Sequence, residues 1–282
     1  MMLLAVVLAS PIAARAQTAS PTPTPTPSST PSLEHQFFKN ILHDQKAIWT
    51  SPLRLQRHDA KWVVPGGIGL MTLFTTDRIT GDEIFESNRQ VKASRWISQA
   101  GSGYTLGAVA AGFYFIGREK KNDRARETGI LSAEALVDSF IVGGTLKVVT
   151  RRGRPLEGAE RSEFFDGGSS FPSGHSMQAW AAATIIANEY RHRRAVQIAA
   201  YATASAVSIA RFTEHKHYLS DVLAGSALGY GIGKYVYRAH HQKSLDSGDS
   251  SDEAISQSWW PTFAPQFSPR MHAYGITLRW SF

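Results

Sequence analysis

Cysteine is absent from the 282 residues, which excludes disulfide scaffolds, thiolate zinc sites and cysteine-nucleophile catalysis together. Stability must therefore come from packing. Acidic residues are outnumbered, 23 against 30 basic ones, giving a net charge of +7 and an isoelectric point near 9.7. The basic excess gathers at Arg151, Arg152 and Arg154 and again at Arg191, Arg193 and Arg194. Anionic partners fit that balance, but no recognition-helix signature, zinc-finger spacing or aromatic RNA-binding motif accompanies it, so nucleic acid is not expected. Sustained two-residue alternation is missing between residues 34 and 240. Long uncharged apolar runs are scarce too: those at 101–117 and 195–210 are 17 and 16 residues long, short of the ~20 that cross a bilayer as a helix.

What is present begins with the apolar run Leu3 to Ala9, a Pro11 break, and Ala14-Arg15-Ala16 before Gln17. Residues 1–16 read as a secretory signal peptide with a small-x-small cleavage site, an uncleaved anchor being the alternative. Residues 17–33 follow as a Pro/Thr-rich linker that favours extended polyproline II. From 34 to 240 apolar stretches of helical length alternate with charged or glycine-bearing breaks, at 62–76, 103–117, 129–150, 175–190, 195–211 and 217–237. The pattern predicts an all-α bundle of about six helices, rich in alanine, with Gly153 and Pro155 stopping the third helix just after Lys147. Glu134, Asp138 and Lys147 in one helix and Asp221 and Lys234 in another oppose a lipid-exposed span. With a mean hydropathy of −0.21, a soluble or membrane-surface bundle is the expectation, ahead of a polytopic one.

Residues 241–258, rich in Ser, Asp and Gln, read as a polar linker. In the tail, 259–282, Tyr274, Ile276, Leu278, Trp280 and Phe282 alternate with small or polar residues, the periodicity of a short strand or hairpin. It looks like the last strand of an outer-membrane barrel, but two strands fall well short of the ~8 that close one. A hairpin packed on the helical body is the plainer reading.

Three clusters carry chemistry: Lys147-x6-Arg154-Pro155, Pro172-Ser173-Gly174-His175 and Arg211-x5-His217-x3-Asp221. Lys and Arg neutralise oxyanions, one as a point charge and the other as a planar fork. A Ser-Gly turn opening a helix directs a hydroxyl and backbone N–H groups at an anion, and equally describes a plain N-cap. His217 and Asp221, four apart, share a helix face, so the carboxylate can orient the ring, or the two can be an ordinary surface pair. Lys147 and Arg154 alone would suit the C-terminus of any helix. Together, in this order, they fit the holding and attack of a tetrahedral oxyanion.

The three clusters resemble the pattern K-x6-R-P, P-S-G-H, S-R-x5-H-x3-D of the type 2 phosphatidic acid phosphatase superfamily, which includes bacterial nonspecific acid phosphatases and vanadium haloperoxidases. The one departure is Ala210, where the pattern has Ser. The resemblance covers the motifs at 147–221 and extends to about 60–240. It implies a phosphatase acting on phosphate monoesters or lipid (di)phosphates, without metal or other cofactor, with vanadate as inhibitor or phosphate mimic. It implies further that Lys147, Arg154, Arg211, Ser173 and Gly174 bind the phosphoryl oxygens. His217, oriented by Asp221, would form a phosphohistidine, while His175, starting protonated, would serve the leaving group and then the water. With both rings near their ordinary pKa of ~6.5, a bell-shaped pH profile follows.

The resemblance leaves two rivals. A vanadium haloperoxidase would use the same residues, although members of that class resemble longer chains. An exported oxyanion-binding or envelope structural protein would need the cations but not the His217–Asp221 pair. Lipid phosphates and small soluble phosphomonoesters are equally compatible with the motifs. An exported, periplasmic location, soluble or at a membrane surface, is expected, and the oligomeric state is open.

Overall fold

The computed structural model describes residues 33–82, 87–155, 163–241, 262–268 and 273–279. The signal peptide at 1–16, nearly all of the Pro/Thr-rich linker and the polar linker after His241 lie outside the described residues. Within them the body is all helical: α1 (Leu33–Thr50), α2 (Ala60–Asp82), α3 (Asn88–Gln99), α4 (Gly103–Glu119), α5 (Asp123–Thr150), α6 (Gly174–Glu189), α7 (Arg194–Thr213) and α8 (Leu219–His240), with a 3₁₀ turn at Ser51–Arg54. The six apolar segments correspond to α2 and α4 to α8. Two further helices, α1 and α3, went unanticipated because what they bury is polar. From α1, Asn40 and Asp44 are buried beside Ile41, and from α3 only Ser94 and Ser98 are. Ser94 pairs with Thr213 across to α7, and Ser98 donates to Glu214. Hydrogen bonds, not an apolar stripe, fix α3 in place.

Helix starts follow ordinary capping chemistry. Ser87, Ser102 and Asn122 accept from the backbone N–H groups of Gln90, Thr105 and Ala125 at the starts of α3, α4 and α5. At its other end α5 runs three residues past Lys147 and stops at Thr150, where Arg151 turns left-handed (φ 46°) and donates its N–H to the Lys147 carbonyl. The helix therefore ends on an αL cap and not at Gly153 or Pro155.

Helix α6 packs on α5, α7 and α8, and α5 packs in turn on α1, α4 and α8. The main core joins Leu131, Ala135 and Val142 of α5, Met177, Ala181 and Ile185 of α6, and Ile232, Val236 and Tyr237 of α8. A smaller cluster of Ala179, Ala183, Ala204 and Val207 seals α6 to α7. The approach of α8 to α6 is set by Gly225, Gly229 and Gly233, where a Cβ would meet backbone oxygens of Ser173, Met177 and Ala181 at 2.6, 2.0 and 2.6 Å. That four-residue glycine spacing holds the first turn of α6 against the first turn of α8, where two of the three motif clusters lie.

The tail forms an antiparallel hairpin, β1 (Thr262–Ser268) and β2 (Ala273–Arg279), in register from Thr262 opposite Arg279 to Ser268 opposite Ala273.

Candidate active site

Three helix ends converge on one place. The C-terminus of α5 brings Lys147 and, just beyond it, Arg152 and Arg154. The N-terminus of α6 brings Ser173, Gly174 and His175, and the α7–α8 junction brings Arg211, His217 and Asp221. Ser169 ties two cations together, its carbonyl accepting from Lys147 Nζ at 2.6 Å and its hydroxyl from Arg154 Nη2 at 3.1 Å. Lys147 also passes beside the first residue of α6, its Cε 3.9 Å from where a Cβ on Gly174 would stand.

Ser173 holds the N-cap position of α6 but makes no side-chain cap. Its Oγ instead accepts from Ser176 Oγ at 3.0 Å, and its own N–H donates to the Asp221 carbonyl at 3.0 Å. The plain N-cap is therefore not what the hydroxyl does. The first-turn N–H groups have no intrahelical acceptors and place the positive end of the helix dipole here.

His217 is buried, 3% exposed. Its Nδ1 lies 2.7 Å from the Ser170 carbonyl. A carbonyl only accepts, so Nδ1 carries the proton and Nε2 keeps its lone pair. Asp221 is 3.8 Å from the same Nδ1, a neighbouring charge beyond hydrogen-bond range. The backbone carbonyl, rather than the carboxylate foreseen from spacing, fixes the ring. Asp221 is itself fully buried and held on all sides: Oδ1 accepts from Arg152 Nη1 at 2.6 Å, and Oδ2 accepts from Ser170 Oγ and from the Tyr218 N–H at 3.0 Å. Arg152 has no exposed surface. Its other nitrogen donates to Asp77 of α2 at 2.7 Å, and its guanidinium lies 4.5 to 5.1 Å from the rings of Tyr218, Phe164 and Phe74. Ser220 joins the same network through Arg152 and Asp77.

Arg211 is anchored from the rear by Glu214, Nη1 to Oε2 at 2.9 Å, and Ser98 donates to that same carboxylate oxygen at 3.1 Å. Its Nε is buried and hydrogen-bonds nothing among the described residues. Sequence reasoning thus missed Arg152, Asp77, Ser170 and Glu214. Arg152 was visible only as part of a basic run, and Asp77, more than seventy residues away, carried no signal.

Burial and the surrounding cations set the ionisation. Burial, then Arg211, His217, Lys147 and Arg154, lower His175 to about 4. Burial lowers His217 to about 4 as well, against the opposing pull of Asp221. Burial and then Arg154 bring Lys147 down to about 8. Asp221 stays below the usual carboxylate range despite its burial, because His217, Arg152 and Ser170 stabilise its charge. Both histidines are therefore neutral at pH 7 in the unliganded site, which changes the expectation that His175 starts protonated.

A cleft of about 510 Å³ opens beside Lys147, Gly174 and His175, and runs between α4, α5 and α6 past Tyr104, Phe140, Gly143, Gly144 and Gln178. One end is cationic and the rest is largely apolar.

The sequence model of the PAP2 superfamily matches residues 128–245. A lipid A 1-phosphatase of Porphyromonas gingivalis is 40% identical over 70 residues, 24% of this chain and 16% of that protein. A PA-phosphatase related-family protein of Dictyostelium discoideum is 26% identical over 147 residues, 46% of this chain and 54% of that one. The chain thus spans about a sixth and about half the lengths of these curated relatives. Among solved structures, the transmembrane PAP2 type phosphatidylglycerolphosphate phosphatase of Bacillus subtilis superposes with a TM-score of 0.46 at 21% identity, covering 76% of this chain and 96% of that one. Aquifex aeolicus LpxE superposes with 0.47 at 20% identity, covering 58% and 93%. Residues 128–245, the stretch that the PAP2 superfamily model matches, contain all three clusters.

Proposed function

We propose that the chain is a membrane-associated phosphatase that removes a phosphate monoester from a lipid through a phosphohistidine on His217. The observation that carries this reading is the cleft, where Lys147 and His175 stand at one end of a groove that Tyr104 and Phe140 continue. A phosphate head fits the first part and an acyl chain the second. The lipid phosphatase relative from Porphyromonas gingivalis supports the same substrate class.

The proposed reaction uses the groups that the helix ends bring together. Lys147, Arg154 and Arg211, with Ser173 and the N-terminus of α6, neutralise the phosphoryl oxygens. Nε2 of His217 attacks phosphorus in line, the N–P bond forms and the P–O ester bond breaks. The proton needed by the leaving alcohol is taken up by His175 from solvent as substrate binds: the bound phosphate's negative charge offsets the cations that, after burial, hold the ring neutral. His175 passes that proton to the alcohol, then accepts one from water as its oxygen attacks phosphorus. The N–P bond breaks, its electron pair returns to Nε2, and inorganic phosphate leaves. Phosphoryl transfer asks chiefly for such positioning and charge stabilisation.

Membrane association draws on the outer surface. Trp62, Met71, Phe115, Phe140, Val148 and Ile198 are each 63 to 76% exposed on α2, α4, α5 and α7. Among the described residues, α5 alone is long and apolar enough to cross a bilayer, and 61% of its most apolar stretch is buried inside the bundle. These exposed apolar side chains, rather than a spanning α5, are the surface proposed to meet lipid.

The full chain in detergent micelles, offered a long-chain phosphatidic acid and a water-soluble aryl phosphate at equal concentration, is expected to have the higher kcat/KM on the lipid. Preference for the soluble ester would overturn the substrate class. Rapid quenching with labelled substrate is expected to trap an acid-labile, alkali-stable label, absent in His217→Ala. A label that survives in that variant would overturn the nucleophile.

A further inference from the structure

At the far end of α8, nineteen residues beyond Asp221 and about 28 Å along the helix axis, stands a second polar cluster that the chemistry above does not use. Asp44 of α1, Glu134 and Asp138 of α5, and His240 of α8 meet between three helices, and all three carboxylates are 0% exposed. One His240 nitrogen, Nε2, sits 2.9 Å from both oxygens of Asp44. Asn40 donates to Glu134 Oε1 at 3.0 Å and Gln45 to Asp138 Oδ1 at 2.8 Å. The other oxygens, Glu134 Oε2 and Asp138 Oδ2, are buried without a hydrogen-bond partner among the described residues. One ligand atom each from Asp44, Glu134 and His240 lies within 4.8 Å of the other two.

Three buried carboxylates facing one imidazole are short of positive charge. An orphaned buried carboxylate oxygen has lost its water without gaining a hydrogen bond in return. A divalent ion would satisfy these oxygens and the charge at once.

We propose that Asp44, Glu134 and His240, backed by Asp138, form a binding site for one divalent cation of the Zn²⁺ or Mn²⁺ type that clamps α1 to α5 and α8. One imidazole nitrogen with carboxylate oxygens is the donor set such ions take, whereas Mg²⁺ and Ca²⁺ prefer oxygen alone. Asn40 and Gln45, already bonded to the carboxylates, orient them as outer partners commonly do. The adjacent group Glu127, Glu189 and His241 is built differently. There a single Nδ1 contacts Glu127 at 3.0 Å and Glu189 at 3.3 Å, and the two carboxylates raise His241 to about 10 against the burial that opposes its charge. That group already holds one imidazolium between its two carboxylates.

The test uses the full chain, tag removed, in detergent, stripped with chelator and dialysed against Zn²⁺, Mn²⁺, Mg²⁺ or Ca²⁺, with bound metal counted by mass spectrometry. One Zn²⁺ or Mn²⁺ per chain is expected, with a rise in Tm. Glu134→Gln and His240→Ala, each checked for native helicity, are expected to weaken binding at least tenfold while phosphate release by the stripped protein persists. Asp44→Asn supplies a milder change if either variant fails to fold. No bound ion, equal binding of Mg²⁺, binding unchanged in these variants, or loss only in Glu189→Gln and His241→Ala would overturn the proposal.

Discussion

Arg152 is fully buried among three aromatic rings, with Asp221 on one nitrogen and Asp77 on the other. Its charge helps Asp221 remain ionised in that interior, and Asp221 in turn sets the field beside His217. Arg152→Ala strands both carboxylates and is expected to lower stability by about 3 to 5 kcal/mol, read as a drop in Tm. Arg152→Lys keeps a cation but loses the fork. Kinetics should then show kcat down by about tenfold or more with KM little changed, because the lysine touches no substrate. The same scale governs pH. His175 and His217 sit near pKa 4 when folded, whereas unfolded they titrate near ~6.5. At these two rings the unfolded chain binds more protons between those values, so their share of the stability is lost as pH drops from about 6.5 towards 4, while Glu134 and Asp138, held protonated up to about 7 by burial, work the other way over the same range. Thermal unfolding of the unaltered chain and of His175→Asn side by side isolates the ring: the variant is expected to lose less stability, relative to the unaltered chain, as pH falls towards 4. At the alkaline side Lys147 loses its proton near pH 8. Inhibition by inorganic phosphate should weaken as pH rises through that value, and less so in Lys147→Arg.

Among the elements, α6 and α8 carry the most consequential contact, since the glycines of α8 fix how near His217 and Asp221 come to the Ser173 turn. Gly229→Ala would drive a Cβ to 2.0 Å from the Met177 carbonyl. Overpacking there is expected to cost about 1 to 3 kcal/mol, with lost activity because the two helix starts separate. Gly231, two positions on, meets nothing within 4 Å, so Gly231→Ala is expected to stabilise by up to about 1 kcal/mol through helix propensity. Parallel melts of the two variants make the comparison. The same scale explains which helices were readable. Apolar segments of α4 to α8 announce themselves by length and alanine content, whereas α1 and α3 contain no long apolar run and bury mainly Asn40, Asp44, Ser94 and Ser98.

For the whole molecule, the exposed collar on α2, α4, α5 and α7 predicts that the chain partitions onto vesicles, and flotation with neutral phospholipid vesicles measures it. Replacing Trp62 and Phe115 together by Ser is expected to reduce the bound fraction while leaving hydrolysis of the soluble ester intact, because neither residue lines the catalytic cleft. Equal flotation of the variant would show that other surfaces carry the membrane contact. Sequence alone determined the helical character of the described body and named the cations, histidines and carboxylate that the helix ends bring together, because periodicity, alanine content and motif spacing are local properties. It also located the tail's strand periodicity, which the β1–β2 hairpin embodies. Only the tertiary structure decided that Ser170 rather than Asp221 orients His217, that Arg152 and Asp77 belong to the site, and that Asp44, Glu134 and His240 meet. Those pairings join residues 47 to 196 positions apart. Their energies come from burial, which strengthens each charge interaction and penalises each unpaired one, and burial exists only once the helices have packed.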